Sequence, residues 1–234
     1  MQLFYHPDIT ETTSFFSFDE TESKHLVKVL RKQTGDQIWV TNGKNQGFEA
    51  EITVDNPKKC TLKVTRVHHK NPRNYYLHMV VAPTKMNDRY EWFLEKAVEI
   101  GVDEITPILC KHAERKHIKP ERFHKILIAA MKQSLQYQLP KLNEMITFED
   151  FMQQPFNGQL FIAHCRTTER ATLKRKALAD HKVTLLIGPE GDFSEAEINL
   201  SVKKEFIPVS LGKTRLRTET AAIVACHTVA LINE

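Results

Sequence analysis

Residues 185–198 read LLIGPEGDFSEAEI, and how this stretch folds decides the architecture around it. Leu185, Leu186 and Ile187 form the end of a near-continuous apolar run, as expected of a strand covered on both faces. Ser194-Glu195-Ala196-Glu197 has the S-x-x-E form of a capping box, which opens a helix. Between strand and helix lie Gly188, Pro189, Glu190, Gly191, Asp192 and Phe193. The chain holds only 8 glycines, and two are in this turn. Glycines at a strand end let bare backbone approach a flat ligand closely. The box makes Ser194 a helix cap rather than a nucleophile. Glu190 and Asp192 read as an acid/base pair, as ligands of a hard metal, or as carboxylates holding turn amides.

The same strand-then-helix grammar extends in both directions from this turn. YLHMVVA (76–82), EITPIL (104–109), LFIAHC (160–165) and FIPVSLG (206–212) read as strands. DRYEWFLEKAVEIG (88–101) is a helix with Tyr90, Phe93, Leu94, Ala97 and Val98 on one face, closed by Gly101. Pro120 suits a first helical turn and opens PERFHKILIAAMKQSLQYQL, predicted helical over 120–139. ETAAIVACHTVALI (219–232) is an apolar final helix. Alternation of this kind predicts an α/β fold with a mainly parallel sheet.

The first seventy residues differ. GFEAEITV (47–54) alternates with the period of a half-buried strand, and QIWV and CTLKVTRV flank it in the same style. Asn42-Gly43 marks a hairpin between the first two. ESKHLVKVLRKQTGD predicts one helix over 22–36, ending near Gly35. Short strands with one helix fit a small barrel. Asn71-Pro72 breaks the pattern, giving domains of residues 1–72 and 73–234.

Composition excludes little else. The chain has 234 residues, 41% hydrophobic and 26% charged, with a net charge of +4. No run is apolar for the roughly 18 residues of a membrane span. The N-terminus lacks a secretory signal, so a cytoplasmic protein is expected. Cys60, Cys110, Cys165 and Cys226 form no C-x-x-C pair and read as four core thiols. No G-x-G dinucleotide loop, H-E-x-x-H zinc helix or G-x-S-x-G elbow occurs, and no metal is expected. Gly212-Lys213-Thr214 mimics a phosphate loop, but Ile207 stands where that loop needs its first glycine.

Open α/β sheets bind ligands at the carboxyl ends of their strands. Three such ends carry chemistry here: His164, the turn at Gly188–Gly191, and the loop Gly212–Glu219 with Lys213, Arg215 and Arg217. An arginine at a sheet mouth clamps phosphate or steadies a developing oxyanion, and Arg217 is the best placed. Basic residues cluster at Lys24–Lys32, Lys111–Lys125 and Arg166–Lys176, a distribution that fits an RNA footprint.

LLIGPEGDFSEAEI together with VSLGKTRLRTETAAIVA (209–225) resembles the knotted SPOUT methyltransferases, and most of all the ribosomal RNA small subunit methyltransferase E family. HLVKVLRKQTGD, EKAVEIGVDEITPI and AAMKQSLQYQLPKL extend the resemblance over nearly the whole chain. It implies a PUA-like β-barrel that helps hold RNA, then a SPOUT domain with a deep C-terminal trefoil knot. It implies S-adenosylmethionine as cofactor, a homodimer, and methylation of N3 of one uridine in 16S rRNA of the small ribosomal subunit. The cofactor would meet His164, Gly188, Pro189, Glu190, Gly191, Leu211, Gly212, Leu216, Arg217 and Thr218. Arg217 would stabilise charge on the uracil, and Glu219, Glu190 or solvent would accept the proton. RNA contacts are expected at Lys24, Lys28, Arg31, Lys32, Arg115, Lys132 and Arg215. Where the family pattern reads Q-S-x-R, this chain has Gln136, so Lys132 or the Lys111–Lys125 patch would have to supply that charge. Ribose 2′-O methylation and non-catalytic ribosome binding are the competing readings.

Overall fold

The computed structural model describes residues 2–166 and 170–234. It forms two compact units: Met1–Pro72 with Met131–Leu139, and Arg73–Ala130 with Pro140–Glu234.

The first unit is built on β1 (Leu3–Tyr5), β2 (Phe15–Ser17), β3 (Gln37–Thr41), β4 (Gln46–Val54) and β5 (Thr61–His69), in the order β1-β3-β4-β5-β2. β1 and β2 are opposite edges of that sheet, yet the His6 ring, just beyond β1, lies 5.2 Å from Phe16, and Phe4 lies 5.9 Å from Phe18. The sheet therefore curls until its edges meet through aromatic side chains, and Phe48, Ala50, Ile52 and Leu62 fill the interior. The hairpin predicted at Asn42-Gly43 is present. Gly43 and Asn45 take positive φ there, and the Asn42 carboxamide accepts the Lys44 amide at 2.9 Å.

The predicted helix over 22–36 is shorter and starts earlier. It comprises α1 (Glu20–Lys24), capped by Asp19, and a π-helical turn over His25–Val29. Arg31 takes a left-handed φ of 56°, and the Lys32 amide reaches back to the Leu26 carbonyl. A left-handed residue is the usual stop of a helix, so the chain leaves before Gly35.

In the second unit, β6 (Tyr76–Val81), α2 (Asn87–Ile100), β7 (Glu104–Leu109), α3 (Pro120–Gln133), β8 (Lys141–Leu142), β9 (Ile146–Thr147), α4 (Phe148–Phe151), β10 (Gln159–Ala163), α5 (Leu173–Lys176), β11 (Lys182–Ile187), α6 (Glu195–Lys203), β12 (Ile207–Val209) and α7 (Thr218–Ile232) follow in order. The sheet runs β12-β10-β11-β6-β7-β8, with every pairing parallel. From β11 the chain returns across β10 to place β12 at the edge. Leu185, Leu186 and Ile187 are buried, as their unbroken apolar run requires, each contributing about 2 kcal/mol. No helix among the described residues is long and apolar enough to cross a membrane.

The predicted helix over 120–139 stops at Gln133. Leu135 adopts a φ of 55°, which ends the helical ladder. The segment then pairs with the hairpin of its own unit: Tyr137 O accepts the Asn45 amide, and Leu139 N donates to Gly43 O, each at 2.9 Å. Tyr137 lies where any side chain on Gly47 would stand, within 2.5 Å of a Cβ placed there.

Candidate cofactor and RNA site

The carboxyl ends of β10, β11 and β12 open into two neighbouring cavities of about 410 and 320 Å³, within the range of small-ligand sites. Both share Ala163, Cys165, Arg215, Leu216 and Ala221. The larger adds Gly188, Pro189, Glu190, Arg217 and Thr218; the smaller adds His164, Leu211 and Gly212. Of the ten positions expected at a cofactor, nine thus line these two spaces. Gly191 does not: a Cβ there would sit 2.9 Å from that of His112, so this glycine allows a close packing contact.

The turn after β11 is held by its second carboxylate. Asp192 sits at φ 62°; one of its oxygens accepts the Cys165 amide at 2.9 Å and the other its neighbour Phe193 at 2.8 Å. Asp192 therefore ties the ends of β10 and β11 together, with both of its oxygens engaged by turn amides. Ser194 caps α6 in a full capping box with Glu197, as its motif predicts. The second oxygen of that same glutamate pair, Glu197 Oε1, accepts the Lys111 amide at 2.8 Å and anchors the loop after β7.

Glu190 differs from Asp192. Its Oε1 accepts the Lys85 amide at 3.0 Å, while Oε2 is buried with no hydrogen-bond partner among the described residues. A bare acceptor oxygen on a cavity wall is available for a ligand N–H or O–H, since leaving it unpaired is costly. The Lys85 loop is in turn fixed by Arg115, which donates to the carbonyls of Thr84 at 2.9 Å and Lys85 at 2.5 Å.

His164 is buried, and its Nδ1 accepts from the Arg166 amide at 3.3 Å and lies 3.2 Å from Arg170 Nη1. Burial, reinforced by the Arg170 charge, pushes its pKa below the usual histidine value. At neutral pH the ring is therefore uncharged, with its proton on Nε2. Gly212 has φ +150°, and nothing stands within 4 Å of where a side chain would point. Cys165, expected in the core, is exposed: it lies two residues past the end of β10, on the cavity wall. Cys60, Cys110 and Cys226 are buried, and all four thiols are free.

Arg217 caps the start of α7 with extended backbone and no side-chain capping bond. Neither it nor Arg215 has an ion-pair or hydrogen-bond partner among the described residues; both are exposed and line the larger cavity with their guanidinium groups uncommitted. Glu219, expected as a proton acceptor, is buried in the first turn of α7 and lines neither cavity. Arg89 of α2 lines the larger one; the sequence reading missed it, because no motif marks a residue that only packing brings to the sheet end.

The residues expected on RNA divide. Lys24, Lys28 and Arg31 are exposed and Lys32 is half-buried, around the π-helical turn. Lys132 is committed within its unit, 2.6 Å from Glu22 and 5.5 Å above the Phe4 ring, and Arg115 is committed to the Lys85 loop. Part of the Arg166–Lys176 cluster, residues 167–169, lies outside the described residues. Among the described residues no group of three or more His, Cys, Asp or Glu could hold a metal.

The family described as "RNA methyltransferase domain" matches residues 71–230, and "RNA methyltransferase PUA domain" matches residues 18–65. A ribosomal RNA small subunit methyltransferase E of Mesomycoplasma hyopneumoniae is 33% identical over 90% of this chain and 91% of its own. Its namesake in Buchnera aphidicola (strain APS) is 30% identical over 94% of this chain and 89% of its own. A solved structure called a "probable rRNA-methyltransferase", from Porphyromonas gingivalis, superposes with TM-score 0.92 and 38% identity over 100% of this chain and 98% of that one. A Legionella pneumophila protein, solved with the cofactor SAM bound, gives 0.88 and 28% over 99% and 97%. Taken with the parallel sheet and its paired cavities, these matches show that the chain belongs to the ribosomal RNA small subunit methyltransferase E family of RNA methyltransferases.

Proposed function

We propose that this protein transfers a methyl group from S-adenosylmethionine to N3 of a uridine in 16S rRNA of the small ribosomal subunit. The observation that carries the reading is the pair of cavities at the ends of β10–β12, bounded by Glu190, with its bare oxygen, and by Arg217, with its uncommitted guanidinium. The lining fits the cofactor: backbone and apolar walls at Gly188, Ala163, Leu211 and Leu216, open space beside Gly212, and a buried acceptor at Glu190. S-adenosylmethionine supplies there a methyl group already activated by its sulfonium.

This chain's residues then have two tasks, alignment and proton removal. N3 lies on the pairing edge of uracil, so the base must be unpaired or flipped out to enter. Loss of the N3 proton spreads negative charge onto the flanking carbonyl oxygens. Arg217, at the start of α7 on the cavity wall, donates to that charge. Glu190 is the proton acceptor of choice over Glu219, because it lines the cavity and Glu219 does not. His164, uncharged and donating through Nε2, lines the adjoining space for the cofactor.

The first unit, with Lys28 and Arg31 exposed beside the π-helical turn, holds RNA through phosphate contacts. The domain division at residue 72, the homodimer, the knotted C-terminus and the cytoplasmic location belong to the same reading. Purified protein should transfer labelled methyl groups to small subunits from a strain lacking this gene. Transfer to large subunits alone, or failure of calorimetry to detect cofactor binding, would contradict the proposal; the second result would favour a non-catalytic ribosome-binding role.

A further inference from the structure

Arg89 and Glu219 form an incomplete pair on the larger cavity. Arg89 projects from the first turn of α2, lines the cavity beside Glu190 and Arg217, and its side chain is 39% exposed. Behind it Glu219 is only 7% exposed, with its Oε1 4.0 Å from Arg89 Nε. Its other oxygen, Oε2, is buried and has no hydrogen-bond partner among the described residues. A closed arginine–carboxylate pair satisfies both oxygens with two parallel N–H donors. Here only Nε faces the carboxylate, at the outer limit of contact. The Nη groups of Arg89 have no partner among the described residues.

Burying a carboxylate with one bare oxygen is expensive, and removing such a charge or pairing it fully is the usual remedy. Glu219 is not fully paired, and it does not line the cavity. What it does reach is the inner edge of Arg89. Holding a guanidinium by Nε directs its two-pronged outer edge the other way, in the geometry that binds carboxylate or phosphate.

We infer that Glu219 is a positioning residue for Arg89, and that Arg89, with Arg215 and Arg217, binds an anionic oxygen group in the larger cavity. The shared chemistry is that of a carboxylate or a phosphodiester. The two sources are the carboxylate of the cofactor's amino-acid arm and the RNA backbone phosphate next to the target nucleotide. The inference rests on the proposed function, and it moves Glu219 from proton acceptor to second-line support of a cation.

Arg89→Ala, Arg89→Lys, Glu219→Gln and the double variant Arg89→Ala/Glu219→Gln test it in the full-length protein, with thermal melts confirming that each is folded. Calorimetry measures binding of S-adenosylmethionine and of methylthioadenosine, which lacks the amino-acid arm; filter binding measures affinity for small subunits across a salt series. If the anion is the cofactor's carboxylate, Arg89→Ala weakens S-adenosylmethionine about tenfold or more and leaves methylthioadenosine unchanged. If it is a phosphate, cofactor binding is unchanged and the log–log salt slope for subunits falls by about 1. In either case Glu219→Gln shifts the same quantity, less strongly, and adds nothing in the Arg89→Ala background. Arg89→Lys, which keeps the charge without the fork, restores part of the affinity. Wild-type affinities and salt slope in folded Arg89→Ala, or additive losses in the double variant, would overturn the inference. Absence of cofactor binding by the wild type would instead overturn the proposed function, and the salt slope would still read Arg89.

Discussion

The hydroxyl of Thr218 donates to the carbonyl oxygen of Gly188 across 3.1 Å, joining the first turn of α7 to the end of β11. Both residues are buried, and the bond links the two sequence segments that form the larger cavity. Thr218→Val keeps the shape of the side chain and removes the donor, leaving the Gly188 carbonyl unpaired. We expect a loss of about 1–2 kcal/mol in denaturant unfolding, and a measurable weakening of cofactor binding. Unchanged stability and affinity would show that the two segments are held by packing alone.

Asp192 ought to be sensitive in a graded way. Alanine removes both acceptors from the Cys165 and Phe193 amides and leaves a left-handed φ without the residue types that tolerate it. Asparagine keeps one acceptor oxygen and is at ease at positive φ. Asp192→Ala should therefore cost about 2 kcal/mol, and Asp192→Asn clearly less. Equal losses in chemical denaturation would argue that the turn is not held in this way.

Acid should destabilise the protein well before its carboxylates are fully protonated. His78 is buried, which lowers its pKa from 6.5 to about 4, against the pull of Glu104. The unfolded chain thus binds a proton that the folded chain refuses, and stability present above pH 6.5 is lost as pH falls towards 4. Burial alone would raise Glu104, but hydrogen bonds from Asn143, Tyr76 and Lys141 and the proximity of His78 bring it down to about 2. Its contribution is present above 4.5 and lost between there and about 2, so the two groups act in the same direction. His78→Gln should flatten the pH dependence of unfolding between pH 7 and 4. A slope parallel to that of the wild type would place the acid sensitivity elsewhere.

Arg217→Ala separates chemistry from binding. If the guanidinium stabilises charge that develops only in the reaction, turnover should fall by 10²–10³-fold, about 2.7–4 kcal/mol, with cofactor affinity nearly unchanged. A folded Arg217→Ala protein that no longer binds cofactor would make this residue part of the binding wall instead.

Local pattern carried much of this architecture, and most of what it missed depends on contacts distant in sequence. The alternation in GFEAEITV, the apolar run ending at Ile187 and the cap at Gly101 each state a local preference that the fold obeys. β1 and β2 are three residues each and too short to show a period; they exist because β3 and β5 offer them partners. The helical pattern through Leu135 is overridden by pairing of Tyr137 and Leu139 with the hairpin, which no periodicity reveals. At the site, nine of the ten positions that the family resemblance implied for a cofactor line the two cavities, and the strand-end glycines marked where those cavities open. Lys132 and Arg115 could not be told from free cations, since Glu22 and the carbonyls of Thr84 and Lys85 that engage them lie far away in the chain. The same limit hid Arg89 and the burial of Glu219 outside the lining of both cavities.

The central claim concerns the atom that is methylated. Small subunits from a strain lacking this gene, incubated with the protein and labelled S-adenosylmethionine, should yield rRNA whose nucleoside digest contains N3-methyluridine by mass spectrometry. The label should map to one position in 16S rRNA. Label recovered as a 2′-O-methyl nucleoside, or no incorporation by a protein shown to bind the cofactor, would contradict the account.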